Sequence, residues 1–375
     1  MISGPRSRFQ PLKMVNWVDW SQLPYDLVIL IANKLHSIED FLAFSAVCHS
    51  WRLVYLNKSW TLSPQVPWLM LDENHTSEFI RGFFNISKNK IHGLMLPEAH
   101  DCRCWGSSHG WLITVGHDRE IRLVNPITHV SINLPPQSTF ENQVNVKVYW
   151  FDFIHNATVF KIRGELVTMV IYGDRYSLAL CRPGDSLWTT VRNSTHFLFI
   201  NVICYGDQVL ALCMRGALVV VVVDGPDPPR AMYMASPPTA EKGWQQIYLV
   251  ESSGDLLMVF RYEVYSSYQN NMIEFRVYKF DFDSREWTIL ESLGDRVLYV
   301  DDSYCTSFYA WDDLECNSIY FAKDNLDWWL TCALKFEGYY MGVYRMKDKT
   351  TDIFCLGKDP PSRYTCPIWV MPTLW

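Results

Sequence analysis

A short pattern recurs in the middle of the chain: a glycine, an acidic residue, any residue, an aliphatic one, two more residues, then an apolar one. It reads GELVTMV from Gly164, GDQVLAL from Gly206 and GDLLMVF from Gly254, at offsets of 42 and 48 residues. Each run precedes another strand-like segment (YSLALCR, GALVVVVVD and EFRVYKFDF), and two of the units close on a Trp-Thr pair, Trp188-Thr189 and Trp287-Thr288. A period in the forties with about four strands per unit is the period of propeller blades. One four-stranded blade cannot cover both of its faces, so blades stack radially around an axis. Units fall near 109–145, 146–193, 196–235, 244–292 and 296–356. The opening strands at 68–97 lack a fourth strand, and the terminal IWVMP at 368–372 lacks neighbours. Joining these two completes a sixth blade and closes the ring. The expectation is a mainly β body over 63–375 with six blades, in which deletion of 366–375 destabilises the whole.

Composition agrees with that reading. Sixteen Trp, twenty Tyr and twenty Phe favour strands, where aromatic rings pack well across a pleated surface. At 375 residues, 49% hydrophobic and 19% charged, the chain is long enough for one large globular domain and a small one. Lys and Arg number 33 against 40 Asp and Glu; residues 1–60 hold six and four of these, which leaves 27 against 36 for the body. An acidic body gives no support to a nucleic-acid surface, and none is expected. The N-terminus has Arg6, Arg8 and Lys13 but no apolar stretch of signal-peptide length, and 1–16 read as a flexible lead-in. The longest apolar run, Ala217 to Val223, is far too short to span a bilayer, so no membrane partner is expected. Eleven cysteines without fixed spacings read as reduced thiols, and the Asn-x-Ser/Thr triplets at Asn57, Asn74, Asn85, Asn156 and Asn193 read as chance. Cytosol or nucleus is the expected location.

Before the repeat lies a stretch of different texture, Trp20 to Arg52, within a helical module expected over 17–60. Pro24 opens a helix whose Leu27, Leu30, Ile31 and Leu35 form an apolar stripe. Ser37 followed by Asp40 makes a capping box with Asp in the usual place of Glu; it starts a second helix carrying Phe41, Phe44 and Val47. His49 to Leu56 makes a third, bearing Trp51 and Tyr55. Helices this short enclose little interior of their own. Much of their apolar surface should therefore meet a partner.

Leu23-Pro24, Asp26-Leu27, Ile31, Leu35, Asp40, Phe44, Val47-Cys48 and Trp51-Arg52 resemble an F-box, and the spacing agrees throughout. Ser45 departs from the pattern, standing where a basic residue is frequent, so weaker polar contact is expected there. The resemblance implies docking to the Skp-type adaptor of a cullin–RING ubiquitin ligase, through Leu23, Pro24, Leu27, Ile31, Leu35, Val47 and Trp51. The body resembles a family too. LVNP at 123–126, IYLVESSGDLLMVFR at 247–261, YKFDFDSREW at 278–287, LGDRVLYV at 293–300, NSIYFAKD at 317–324, GVYRMKD at 342–348 and the closing IWVMP are similar, in that order, to the KIB-type, kelch-like propeller found behind F-boxes in plant proteins. That resemblance implies a non-catalytic receptor whose propeller captures a target protein for ubiquitination. The alternative is a propeller that sequesters a partner, such as a kinase, outside any ligase. A propeller hydrolase is a third reading.

Other residue groups carry less. His100, Cys102, Cys104 and His109 lack the paired C-x₂₋₄-C spacing of structural zinc, so an ordinary reduced loop is expected and no metal or cofactor. Asp301-Asp302 and Asp312-Asp313 read as loop tips at blade ends. Neighbours on a strand point to opposite faces and cannot readily share a substrate. There is no Gly-x-Ser-x-Gly elbow, Walker loop or dinucleotide fingerprint. In strands the doublets Trp328-Trp329 and Tyr339-Tyr340 would place one ring outward each as an anchor for a protein partner, but blades bury aromatics between their faces and core packing is the favoured account; Val219–Val223 reads as an inner strand buried on both faces.

Overall fold

A computed structural model describes residues 19–57, 60, 65–73, 79–141, 150–193, 197–225, 227–239, 241–264, 272–311, 314–322, 340–355 and 365–374. The chain divides into two compact units, Met1–Gln65 and Val66–Trp375. No helix among the described residues is long and apolar enough to cross a membrane.

The first unit holds a 3-10 turn at Trp20–Gln22 and three helices, α1 (Tyr25–Ala32), α2 (Ile38–Ser45) and α3 (His49–Leu56). Ser37 caps α2: its hydroxyl accepts from the Asp40 amide at 3.2 Å and donates to the Asp40 carboxylate at 2.6 Å. The carboxylate thus bonds the capping hydroxyl and not the Ser37 amide, since Asp is one methylene shorter than Glu. Val28, Ala32, Ile38, Phe41, Phe44 and Val54 form the interior. The stripe expected on α1 is the solvent side of the helix, and the helix ends before Leu35. Leu27 and Leu30 face outward, and Val28 and Ala32, four apart, face in. The sequence YDLVILIA is apolar on more than one side, so periodicity does not choose a face. Val47 also lies beyond the end of its helix at Ser45.

The second unit is a propeller whose described strands form six sheets. Blade I is β1 (Trp68–Met70), β2 (Ile80–Asn85) and β3 (Lys90–Met95). Blade II is β4 (Arg103–Trp105), β5 (Leu112–Val115), β6 (Ile121–Val124) and β7 (Ser131–Asn133). Blade III is β8 (Ile154–Ile162), β9 (Glu165–Tyr172), β10 (Ser177–Cys181) and β11 (Thr189–Thr190). Blade IV is β12 (Phe199–Tyr205), β13 (Gln208–Cys213), β14 (Leu218–Val222) and β15 (Arg230–Ala235). Blade V is β16 (Gln246–Ser252), β17 (Asp255–Val264), β18 (Met272–Asp281) and β19 (Glu286–Leu290). Blade VI has five strands, β20 (Arg296–Val300), β21 (Thr306–Tyr309), β22 (Ser318–Ala322), β23 (Tyr340–Arg345) and β24 (Thr350–Cys355). The last strand, β25 (Ile368–Val370), returns to blade I and pairs antiparallel with β1, so the two ends of the propeller share one sheet. Six blades closed by the C-terminal strand is the ring expected from the sequence.

The repeated glycines open the second strand of blades III, IV and V. Gly164, Gly206 and Gly254 have φ of 89°, 57° and 84°, values that turn a hairpin without a Cβ penalty. Gly294-Asp295-Arg296-Val297 fits the same pattern 40 residues on. Its strand β20 is again second from the axis, but here the inner strand, β21, follows it in sequence. Consequently β20 lies parallel to β22, whereas β20 and β21 pair antiparallel.

Apolar clusters fill the spaces between successive blades. One joins blades II and III around Trp105, Phe140 and Trp188; another joins VI and I around Tyr299, Tyr320 and Trp369. The valine-rich run is corrected by the same geometry. It forms β14, third from the axis, and Val220 and Val222 are half-buried.

Candidate docking module and propeller axis

The helical unit leaves a band of apolar side chains in solvent. Leu27, Leu30 and Val47 are 45%, 59% and 55% exposed, Pro24 is exposed, and Leu23, Ile31, Leu35 and Trp51 are half-buried. Internal bonds fix the band. The Trp51 indole donates to the Trp20 carbonyl at 3.1 Å, Ser50 Oγ donates to the Ser21 carbonyl at 3.0 Å, and the Trp51 ring lies 4.7 Å from that of Phe44. These contacts hold the segment before α1 against α3, which puts Leu23 and Pro24 on a rigid frame. Ser45 donates to the Leu42 carbonyl at 2.8 Å, so its hydroxyl is used within the helix.

In the propeller, the polar chemistry gathers at the axis. The innermost strands β8, β12, β16 and β21 lie side by side, and the turn after β20 enters between them. Asp301, only 2% exposed, is the centre of that turn. Its Oδ1 accepts from the amides of Ser303 and Tyr304 at 2.7 and 2.6 Å and from the Ser303 hydroxyl at 2.9 Å. Its Oδ2 accepts from the Trp369 amide of the closing strand at 2.5 Å. Ser303 Oγ in turn accepts from the Gly106 amide of blade II at 3.2 Å. Burial pushes the Asp301 carboxyl up to about 6 against the pull of these donors. Asp302 continues the network, accepting from Asn156 of blade III through its carbonyl and from Gln246 of blade V through its carboxylate. The loop-tip reading of this pair is therefore corrected. Asp301 is an internal tie between blades VI, I and II, and Asp312 and Asp313 lie outside the described residues.

The other groups singled out in the sequence do not converge. His100 contacts the Glu73 carboxylate through Nδ1, while His109 Nδ1 and Ser108 Oγ are 2.7 Å apart. Burial, and then the charge of Lys161, hold His109 below its ordinary range. Cys102 and Cys104 are buried, and burial pushes their thiols up to about 12 and about 11. The expected loop holds a strand at this point, because Cys104 sits in β4. Among the described residues no group of three or more His, Cys, Asp or Glu could hold a metal ion. Asn85 and Asn156 are buried in strands, which removes them as glycan acceptors, and Asn74 lies outside the described residues. Trp328, Trp329 and Tyr339 also lie outside, and Tyr340 opens β23. What the sequence reading missed is the axial set of amides. Asn156, Asn201 and Gln246 recur at intervals of 45 residues, a signal as regular as the glycine repeat.

A model of the KIB1-4 beta-propeller matches residues 83–345. The chain belongs to the KIB1-4 beta-propeller family. The KIB1-4 match begins within β2 and ends with β23, so the helices and the closing strand flank it. Among its relatives is the F-box protein At2g26160 of Arabidopsis thaliana, 26% identical over 343 residues that cover 82% of this chain and 96% of that protein. Another is the F-box protein SKIP23 of the same plant, 26% identical over 346 residues, covering 79% of this chain and 81% of that protein. Among solved structures, the Cps50 (Swd1) beta-propeller domain of Myceliophteria thermophila is 7% identical with a TM-score of 0.33, covering 79% of this chain and 99% of that one.

Proposed function

We propose that this KIB1-4 propeller protein is the substrate-recognition subunit of a Skp–cullin–RING ubiquitin ligase. The observation that carries the reading is the band of solvent-facing Leu27, Leu30, Val47 and Pro24 on a helical unit whose own interior is already filled by Val28, Phe41 and Phe44. An apolar surface held rigid in water is what a protein partner covers, and relatives similar over about four fifths of this chain are named F-box proteins. Leu23, Pro24, Leu27, Ile31, Leu35, Val47 and Trp51 supply the adaptor contacts. The propeller holds a target protein near the charged ubiquitin-conjugating enzyme, so rate comes from proximity and transfer chemistry belongs to the partners. The protein acts in the cytosol or nucleus, where those partners work.

The test is capture of a Skp-type adaptor and cullin by the purified full chain, beside the double variant Leu23→Ala, Pro24→Ala. Wild type is expected to capture both. The double variant is expected to lose the adaptor while its propeller melts at an unchanged temperature. A folded wild type that captures no adaptor overturns the ligase assignment.

A further inference from the structure

The outermost strand of each blade presents a row of unpaired amides and carbonyls, which proteins normally blunt. Most of these edges are blunted here. β7 and β11 have three and two residues. The Ala231 amide of β15 donates to the Arg192 carbonyl after blade III at 2.9 Å, and β19 and β24 carry Glu286 and Asp352. β3 differs. It has six residues, its one Lys stands first, and Ile91–Met95 hold no Asp, Glu, Lys, Arg or Pro.

The Leu96 amide donates to the Phe79 carbonyl at 2.6 Å, and β2 and β3 pair Ile80 with Met95, Gly82 with Gly93 and Phe84 with Ile91. Antiparallel alternation then aims the backbone groups of Lys90, His92 and Leu94 at β2 and those of Ile91, Gly93 and Met95 out of the sheet. The side chains of these last three share one face with Ile80, Gly82 and Phe84. On that face Ile80, Ile91 and Met95 are 43%, 55% and 56% exposed. Gly93 is exposed too, so a gap without a side chain lies between Ile91 and Met95.

Three features choose the occupant. Outward backbone groups at alternate positions call for an extended chain. The bare Gly93 beside Gly82 leaves room for a ring, as when an aromatic residue covers an edge glycine. Charge supplies the third: residues 79–97 hold Arg81, Lys88 and Lys90 and no Asp or Glu, in a body with 27 basic against 36 acidic residues. A second copy of this chain fits less well. Antiparallel use of all three outward positions would set Gly93 against Gly93 and leave the gap empty.

We propose that β3 takes an extended segment of a target protein as a further, antiparallel strand of blade I, with an aromatic residue over Gly93 and a carboxylate beside Lys90. This rests on the propeller being the target-binding part and makes no use of the adaptor surface, so adaptor capture can fail with the strand site intact, and the reverse.

The probe is the fluorescently labelled peptide acetyl-Val-Thr-Phe-Thr-Val-Glu-Glu-amide, titrated with the full chain and followed by anisotropy. Saturation is expected, with slowed hydrogen exchange at the Ile91, Gly93 and Met95 amides in the complex. Gly93→Pro removes an outward donor and no rung of the ladder to β2, so it should weaken binding tenfold or more at an unchanged melting temperature. Met95→Lys, at an exposed side chain, should weaken it at least threefold and serves if the proline variant does not fold. Replacing the peptide's Phe by Ala should cost tenfold. Lys90→Glu should weaken this peptide at least threefold and prefer one ending in Lys-Lys. No saturation, equal affinity in Gly93→Pro and Met95→Lys, or unchanged exchange at those three amides overturns the proposal. So does a wild-type dimer that Gly93→Pro converts to monomer, since a second copy then occupies the edge.

Discussion

Asp301 shows how one residue can be read correctly for its type and wrongly for its place. Acidic pairs usually mark solvated turns, yet this carboxylate is buried and receives donors from blade VI and from the closing strand. Its removal leaves backbone amides unpaired, each costing about 1–3 kcal/mol. Asp301→Ala should therefore lower propeller stability by several kcal/mol, measured by chemical denaturation. The pH dependence has a definite sign. Burial raises the folded-state value from 3.8 to about 6, so the folded protein holds this proton more tightly than the unfolded chain does. The contribution is fully present below about pH 4, declines as pH rises towards 6 and is flat above, a span on the order of 3 kcal/mol. Asp301→Asn carries no such titration. The stability difference between wild type and Asp301→Asn should shift in favour of the variant between pH 4 and 6; a difference constant across that window contradicts the assignment.

At the scale of elements, the helices are the part most legible in the sequence. Local signals set them: α3 spans the expected His49–Leu56, and Ser37 caps α2 through the Asp40 amide. Ser37→Ala should cost about 1 kcal/mol. Hydrogen exchange at the Asp40 and Phe41 amides should then quicken about fivefold if α2 opens locally. Unchanged exchange there would mean that Phe41 and Phe44 packing, not the cap, holds the helix start. What periodicity could not give was the inward face of α1, because Leu27, Val28, Leu30 and Ile31 are all apolar and only packing against α3 selects Val28. In the strands, the glycine hairpins were legible for a related reason. A positive φ at Gly164, Gly206 and Gly254 is a local demand that only the residue at that position can meet.

The whole molecule is decided at ring closure. β25 contributes Ile368, Trp369 and Val370, all buried, to a sheet whose other strands lie near 300 residues earlier in the chain. At roughly 1.5–3 kcal/mol for each buried side chain, the strand is worth on the order of 5–9 kcal/mol. That is comparable with the total stability of a domain, about 5–15 kcal/mol. Deletion of 366–375 should unfold or loosen the whole propeller, seen as a lower and broader melting transition; a truncated chain that melts like the full one refutes closure by the tail. Gly106 offers a subtler probe. A Cβ there would sit 2.1 Å from the Trp369 carbonyl, so Gly106→Ala should lower the melting temperature by wedging blade II away from the closing strand. The sequence alone determined the blade period, the hairpin glycines, the helical module and the candidate closing strand, because each rests on spacing within a few residues or on a repeat of about forty. Tertiary structure decided the radial order of strands, the inversion of β20 and β21, the burial of Asp301 and the meeting of Asn156, Asn201 and Gln246 at one axis. A strand's residues report that it alternates between two faces; how far from the axis it lies depends on which distant strand pairs with it.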